Sequence, residues 1–420
     1  MARRVVITGL GVISPVGKNP KEFFDNLMAG RSGIQRLQSD FTDQLSTRIA
    51  AQIQGYNPAN YFSKIKLSGI ERFSQFALIA AEQAVKDAGL ELAEHEQQRA
   101  GVYLGTGMGG ATTLEDGYIE LFQRDNPRIK PLSVLLAMNN AAASHLSLAY
   151  QLQGPNVTYS TACSSSAIAI GEAYCKIRDG YADVMLAGGS EAMLTHIAMK
   201  AWEALRTLAR EDTHDPAASC KPFARDRTGL VLGEGAAVLV LEDAERAVKR
   251  GARIYAEVAG YDCSSDAFHI TKPDAAGQTR AMLSALRDAK LQAQDIHYIN
   301  AHGTATLAGD IEETKAIKQA FGEHAYRVPV SSTKSMHGHL MGATGAVEFM
   351  AAVLALQHNA IPPTINLHQP DPECDLDYVP NVGRRNIELN AVMSNSFAFG
   401  GSNAVLIAKR FLWQSTPERR

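Results

Sequence analysis

Short runs of apolar residues with strand-like alternation are each followed by a stretch of helical spacing along this chain. That alternation predicts an α/β fold. The order of these segments repeats. "RVVITGLGV" at 4–12 is matched in pattern by "IYAEVAGYD" at 254–262, and "RAGVYLGTGMGG" at 99–110 by "IHYINAHGTAT" at 296–306. "NVTYSTACSSSAIAIGEAYCKI" pairs with "VPVSSTKSMHGHLMGATGAVEFMAAVLAL", and "EGAAVLVLED" with "NSFAFGGSNAVLIAKR" as closing strands. Four pairs in one order imply an internal duplication joined near residues 243–253, with one half over residues 1–250 and the other over 251–420.

The helices that follow the third pair are apolar nearly all round, which places both at the centre of the molecule. The longest apolar run, "AVEFMAAVLAL", is too short to span a bilayer and contains Glu348. The opening "MARRVVITGLGVISPVG" imitates a signal peptide only in its two arginines, and reads better as a first strand and turn. The charged "TPERR" after the last strand reads as solvated exterior. With 420 residues, 45% of them hydrophobic, the chain has material for two packed halves. A net charge of −3 disfavours a nucleic-acid binder. Five scattered cysteines without a C-x-x-C pair fit a reducing cytoplasm rather than a disulfide framework or a zinc site.

Cys163 lies where a strand gives way to a small-residue helix. It is either a small hydrophobe filling the core or a nucleophile favoured as thiolate by the helix N-terminus. His302, in "NAHGTAT", ends a predicted strand in a glycine loop and by itself reads as a hydrogen-bonded structural histidine. "STKSMHGHLMGATGA" brings Lys334, His337 and His339 to the start of a buried helix. No carboxylate spacing completes a metal-ligand set, so no metal is expected. One Cys and two His within reach of each other point instead to thiol nucleophile chemistry. "GTGMGG" at 105–110 fits G-x-G-x-x-G but does not open the first βαβ unit, so no dinucleotide cofactor is expected. "SNSFAFGGSNA" reads either as a tight turn with core aromatics or as a glycine-hinged loop whose Phe397 and Phe399 wall an apolar slot.

Taken together, "TACSSS", "NAHGTAT", "STKSMHGHLMGATGAVE" and "SNSFAFGGSN" resemble the signature blocks of β-ketoacyl-acyl-carrier-protein synthases, most closely the elongating type II branch of fatty-acid synthesis. The resemblance spans nearly the whole chain. It implies the α/β thiolase fold of two duplicated α-β-α-β-α halves, a homodimer, acyl carrier protein as partner, and no cofactor. It makes Cys163 the acyl-carrying nucleophile, with its pKa lowered by the helix start. His302 and His339 become the groups that hold the malonyl thioester during loss of carbon dioxide. Lys334 would tune the charge around His339 with Glu348 as its partner. Thr304 and Thr306 would bind the pantetheine arm, and the N–H groups of Cys163 and Phe399 would form the oxyanion hole. Met108 would stand at the mouth of the acyl pocket, with Trp202 on another wall, and Phe399 would gate it. Lys64, Lys66, Arg72, Arg206 and Arg210 would dock the acidic carrier.

The chain departs from the family's usual pattern at Leu230, where phenylalanine is common, at Ala305 and Leu307 in the "HGTAT" block, at Ala398 in the gating loop, where glycine is common, and at Ala224. A ketosynthase of a specialised polyene or polyketide pathway is therefore an alternative. The complete Cys-His-His set argues against a non-catalytic chain-length-factor-like subunit. A thiolase would need a second cysteine as base, and Cys374 lies far from the glycine loop where that base belongs.

Overall fold

The computed structural model describes residues 2–413, so the solvated tail expected of Thr416–Arg420 lies outside it. One half supplies β1 (Val5–Ile13), β2 (Ala100–Gly105), β3 (Asn156–Tyr159), β4 (Val184–Glu191) and β5 (Gly235–Asp243). The other supplies β6 (Ala256–Ser265), β7 (Tyr298–Asn300), β8 (Val330–Ser331), β9 (Ala391–Phe397) and β10 (Ser402–Lys409). They hydrogen-bond in the order β3-β2-β4-β5-β1-β6-β10-β9-β7-β8. Each half therefore reads third, second, fourth, fifth, first from its outer edge. In both halves the outer three strands run parallel and the last two pairings are antiparallel. The halves meet where β1 pairs antiparallel with β6, Val5 opposite Val258. The stretch 395–410, read above as one closing strand, is the end of β9, a turn and β10.

Helices α1 (Arg72–Ala88), α2 (Ala141–Tyr150), α3 (Ser165–Arg178), α4 (His196–Leu205), α5 (Ala275–Ala289), α6 (Leu307–Phe321) and α7 (Thr344–His358) complete the frame. α1 and α2 cover the outer face of the first half through Phe73, Phe76 and Leu146, and α5 and α6 cover the second through Met282, Leu286 and Ile317. Between the two halves lie α3 and α7, whose Ile168, Ile170, Val347 and Phe349 join strand residues from both halves in one core. Every residue of α7 from Thr344 to Leu356 is buried, which explains a sequence apolar on all sides. The duplication extends to close packing. A Cβ at Gly9 of β1 would lie 2.1 Å from the Ala84 carbonyl of α1, and one at Gly260 of β6 would lie 2.5 Å from the Ala285 carbonyl of α5. Each first strand needs glycine there so that its helix can lie against it.

Candidate active site

The two central helices begin side by side, and their N-terminal turns build the site. Before α3, Ala162 takes a left-handed φ of 51° and Cys163 sits in the following 3₁₀ turn, Ala162–Ser164. The serines of "TACSSS" hold that turn: Ser165 Oγ donates to the Ala162 carbonyl at 2.6 Å and Ser164 Oγ to the Thr161 carbonyl at 2.9 Å. Before α7, Met341 takes φ 46° and opens a second 3₁₀ turn, Met341–Ala343. The turns are joined where Ala346 N–H donates to Ser166 Oγ at 2.9 Å. Cys163 from one half thus faces His302 and His339 from the other.

His339 Nε2 lies 3.0 Å from Cys163 Sγ. Its Nδ1 accepts from Met341 N–H at 3.2 Å and lies 2.9 Å from Thr344 Oγ1, which leaves the ring proton on Nε2. His302 Nδ1 faces the Lys334 ammonium at 3.3 Å, so its proton is on Nε2 as well. The rings stand edge-to-face with centroids 5.5 Å apart. Burial and the Lys334 charge push both imidazoles well below the usual histidine range, so both are neutral N–H donors. The Lys334 contact is with His302 rather than with His339: its Nζ bonds His302 Nδ1, the His302 carbonyl, and Glu348 Oε1 at 2.6 Å.

The backbone N–H groups of Cys163 and Phe399 both donate toward Sγ and, with Lys334, favour thiolate. Burial outweighs them and raises the thiol to about 11. The lowered pKa expected from the helix start alone is therefore reversed, because Cys163 is only 4% exposed. Sγ, His302 and His339 could in principle ligate a metal, since their donor atoms lie within 4.8 Å of one another. Fixed tautomers that turn N–H groups rather than lone pairs toward the centre suit an oxygen anion better.

A cleft of about 350 Å³ leads to these groups, lined by Trp202, Leu230, Thr304, Thr306, Phe397 and Phe399 among others. Such a volume holds a small ligand or the end of a flexible arm. Thr304 and Thr306 share a hydrogen bond at 2.9 Å. The loop carrying them is held by α6: Glu313 accepts from the N–H groups of His302 and Gly303 at 2.8 and 2.7 Å, and Asp310 from those of Phe223 and Ala305 at 2.7 and 3.1 Å. Arg227, wholly buried, pairs with Asp310 and donates to the Thr306 and Leu307 carbonyls. The sequence reading missed these three residues, although Asp310 and Glu313 at i,i+3 share one helix face.

Met108 is 45% exposed and is not among the residues that line this cleft. Lys64, Lys66, Arg206 and Arg210 are exposed, and Arg206 lies at the cleft mouth. Arg72 is committed elsewhere: Nε and Nη2 bond the buried Glu234 carboxylate at 2.8 and 2.6 Å, and the guanidinium stacks on Tyr56 and Phe76. It is a structural ion pair rather than a free docking cation.

The β-ketoacyl synthase N-terminal domain matches residues 2–247, and the C-terminal domain of the same enzymes matches residues 255–368. The chain belongs to the β-ketoacyl synthase family. It is 42% identical over 411 residues to 3-oxoacyl-[acyl-carrier-protein] synthase 2 of Staphylococcus aureus (strain COL), which covers 97% of this chain and 99% of that one. A β-ketoacyl synthase of Burkholderia phymatum superposes with a TM-score of 0.90 at 39% identity, covering 98% of this chain and 100% of that one. A type II PKS ketosynthase solved in complex with its acyl-carrier protein superposes with the same TM-score at 33% identity, again over 98% and 100% of the two chains. Among the described residues no helix of this synthase is long and apolar enough to cross a membrane.

Proposed function

We propose that this β-ketoacyl synthase joins an acyl group, carried as a Cys163 thioester, to malonyl-acyl-carrier protein and releases a β-ketoacyl-carrier two carbons longer. The observation that supports it is a thiol within 3.0 Å of one of two neutral imidazoles, both presenting Nε2–H to the same cleft. In the first half-reaction Sγ attacks the acyl thioester, its oxyanion accepts from the N–H groups of Cys163 and Phe399, and the carrier thiol leaves. In the second, the malonyl thioester oxygen lies between His302 and His339. The bond to the carboxyl group breaks, carbon dioxide leaves, and its electron pair becomes the enolate that the two N–H groups stabilise. The enolate carbon then attacks the Cys163 thioester and expels the thiolate. Each imidazole donor is worth on the order of 10²–10³ in rate.

Thr304 and Thr306 offer hydroxyls to the pantetheine amides. Trp202, Phe397 and Phe399 wall the acyl side, and Lys64, Lys66, Arg206 and Arg210 attract an acidic carrier. Two copies of the chain pair as a homodimer, and the enzyme works in the cytoplasm with no cofactor. Ketosynthase service in a polyketide pathway is the second reading, favoured by the likeness to the carrier-bound ketosynthase. Mass analysis of carriers after incubation with acyl-carrier and malonyl-carrier tests the proposal. A single two-carbon extension supports fatty-acid elongation, repeated extension without reduction supports the polyketide reading, and unchanged carriers refute both.

A further inference from the structure

Strand register defines which residues of the two halves correspond. Gly105 of β2 pairs with Tyr159 and Gly189, and Asn300 of β7 pairs with Ser331 and Ser394. Two residues on, Gly107 is the counterpart of His302, and Glu191 the counterpart of Ser396. The left-handed residues Ala162 and Met341 open equivalent turns, so Gly342 is the counterpart of Cys163. The duplication thus repeats the catalytic layout a second time, but with glycine where the nucleophile and a histidine stand.

Between those two glycines stands a carboxylate. Glu191 is fully buried. Its Oε2 accepts from Gly107 N–H at 2.6 Å and from Gly342 N–H at 3.0 Å, so one oxygen ties loops of the two halves together. Its Oε1 accepts from Met108 N–H at 3.1 Å and lies 3.4 Å from Thr106 Oγ1. The loops are in contact, because a Cβ at Gly342 would lie 2.3 Å from Gly107 N. The neighbour of Gly342 is Met341, whose N–H fixes the His339 tautomer.

We infer that Glu191 is a positioning residue that clamps the Met108 loop to the Met341–Gly342 turn, and so holds His339 Nε2–H on the cleft. The inference rests on the condensation chemistry proposed above, and its consequence is specific. A shift of about 1 Å in a positioned group costs on the order of 10²-fold in rate. Because the clamp joins the Met108 loop of one half to the His339 turn of the other, the position of the decarboxylation donor depends on contact between the two halves.

Glu191→Gln keeps the size but, whichever way the amide turns, sets an NH₂ group against backbone N–H donors. In this variant kcat for malonyl-carrier decarboxylation should fall at least about tenfold with KM within about twofold, while acylation of Cys163 by a short acyl-carrier stays near wild type. Glu191→Asp, which keeps the carboxyl group but not the reach, should lie between. Decarboxylation at the wild-type rate in Glu191→Gln overturns the inference, as does an equal loss in both half-reactions. If neither variant folds, hydrogen exchange in the wild-type protein decides. Gly107, Met108 and Gly342 amides should be protected and should open together, and independent fast exchange overturns the clamp. A wild-type protein that neither acylates Cys163 nor decarboxylates malonyl-carrier would instead refute the proposed function.

Discussion

At Cys163 two effects oppose each other within one residue's surroundings. Backbone N–H groups, His339 Nε2–H and the Lys334 charge favour thiolate, whereas removal from water favours thiol and prevails. A thiol raised to about 11 alkylates slowly at neutral pH, and its rate should climb through pH 9 and beyond. Iodoacetamide labelling followed by peptide mass measures this, and a rate already level at pH 7–8 would contradict the burial argument. Lys334 is the group on which this balance rests. Lys334→Ala leaves the Glu348 carboxylate buried without its partner, which costs about 3–5 kcal/mol. Urea unfolding should show that loss, and Lys334→Ala combined with Glu348→Ala should recover part of it; a single variant as stable as wild type would show that the pair contributes nothing. Motif order alone made Cys163, His302 and His339 legible, because short turn and glycine signals fix their local settings. It could not show that Lys334 bonds His302, since that contact depends on how residues 302 and 334 are brought together by β7 and β8.

Between elements, the turn from β9 to β10 is shaped by its two glycines. Gly400 and Gly401 hold successive left-handed φ values of 86° and 76°, conformations that suit glycine. Phe399, just before them, stacks on Trp202 of α4 with centroids 5.9 Å apart and planes 21° apart. The turn is braced by Gly400 N–H donating to the Ile270 carbonyl at 2.7 Å. Ala398 avoids the left-handed region, so alanine there adds no strain and removes freedom from the unfolded chain. Ala398→Gly should cost about 0.4–1 kcal/mol in thermal unfolding, and a gain in stability would contradict this. Trp202→Ala removes a stacking partner worth about 0.5–1.5 kcal/mol, which should admit longer acyl-carriers. Acylation rates across a series of chain lengths measure it, and an unchanged profile would show that Trp202 is not a wall. The element order and the buried central helices were readable from hydrophobic periodicity. Clamps such as Glu191 and Glu313 were not, because a carboxylate that binds backbone N–H groups in the core looks like any other acidic residue in sequence.

For the molecule as a whole, duplication gives one open cleft at Cys163 and one equivalent place closed by Glu191. The net charge is −3, so the proposed attraction of an acidic carrier requires local positive charge, for which Lys64, Lys66, Arg206 and Arg210 are exposed. Carrier binding should weaken as ionic strength rises, by isothermal titration at low and high salt, and a constant Kd would remove electrostatics from docking. Arg72→Ala should act through stability rather than docking, since its charge is paired with Glu234. Sequence alone could not separate Arg72 from its neighbours, because Glu234 is distant in the chain and near only in the fold. The division of labour between Cys163 and the two histidines is tested most directly by intact mass and carbon dioxide release on one set of variants. Cys163→Ala should carry no acyl adduct after incubation with acyl-carrier yet still release carbon dioxide from malonyl-carrier, while His302→Ala and His339→Ala should each carry the adduct and release almost none. An acyl adduct on Cys163→Ala, or carbon dioxide release at the wild-type rate from either histidine variant, would contradict it.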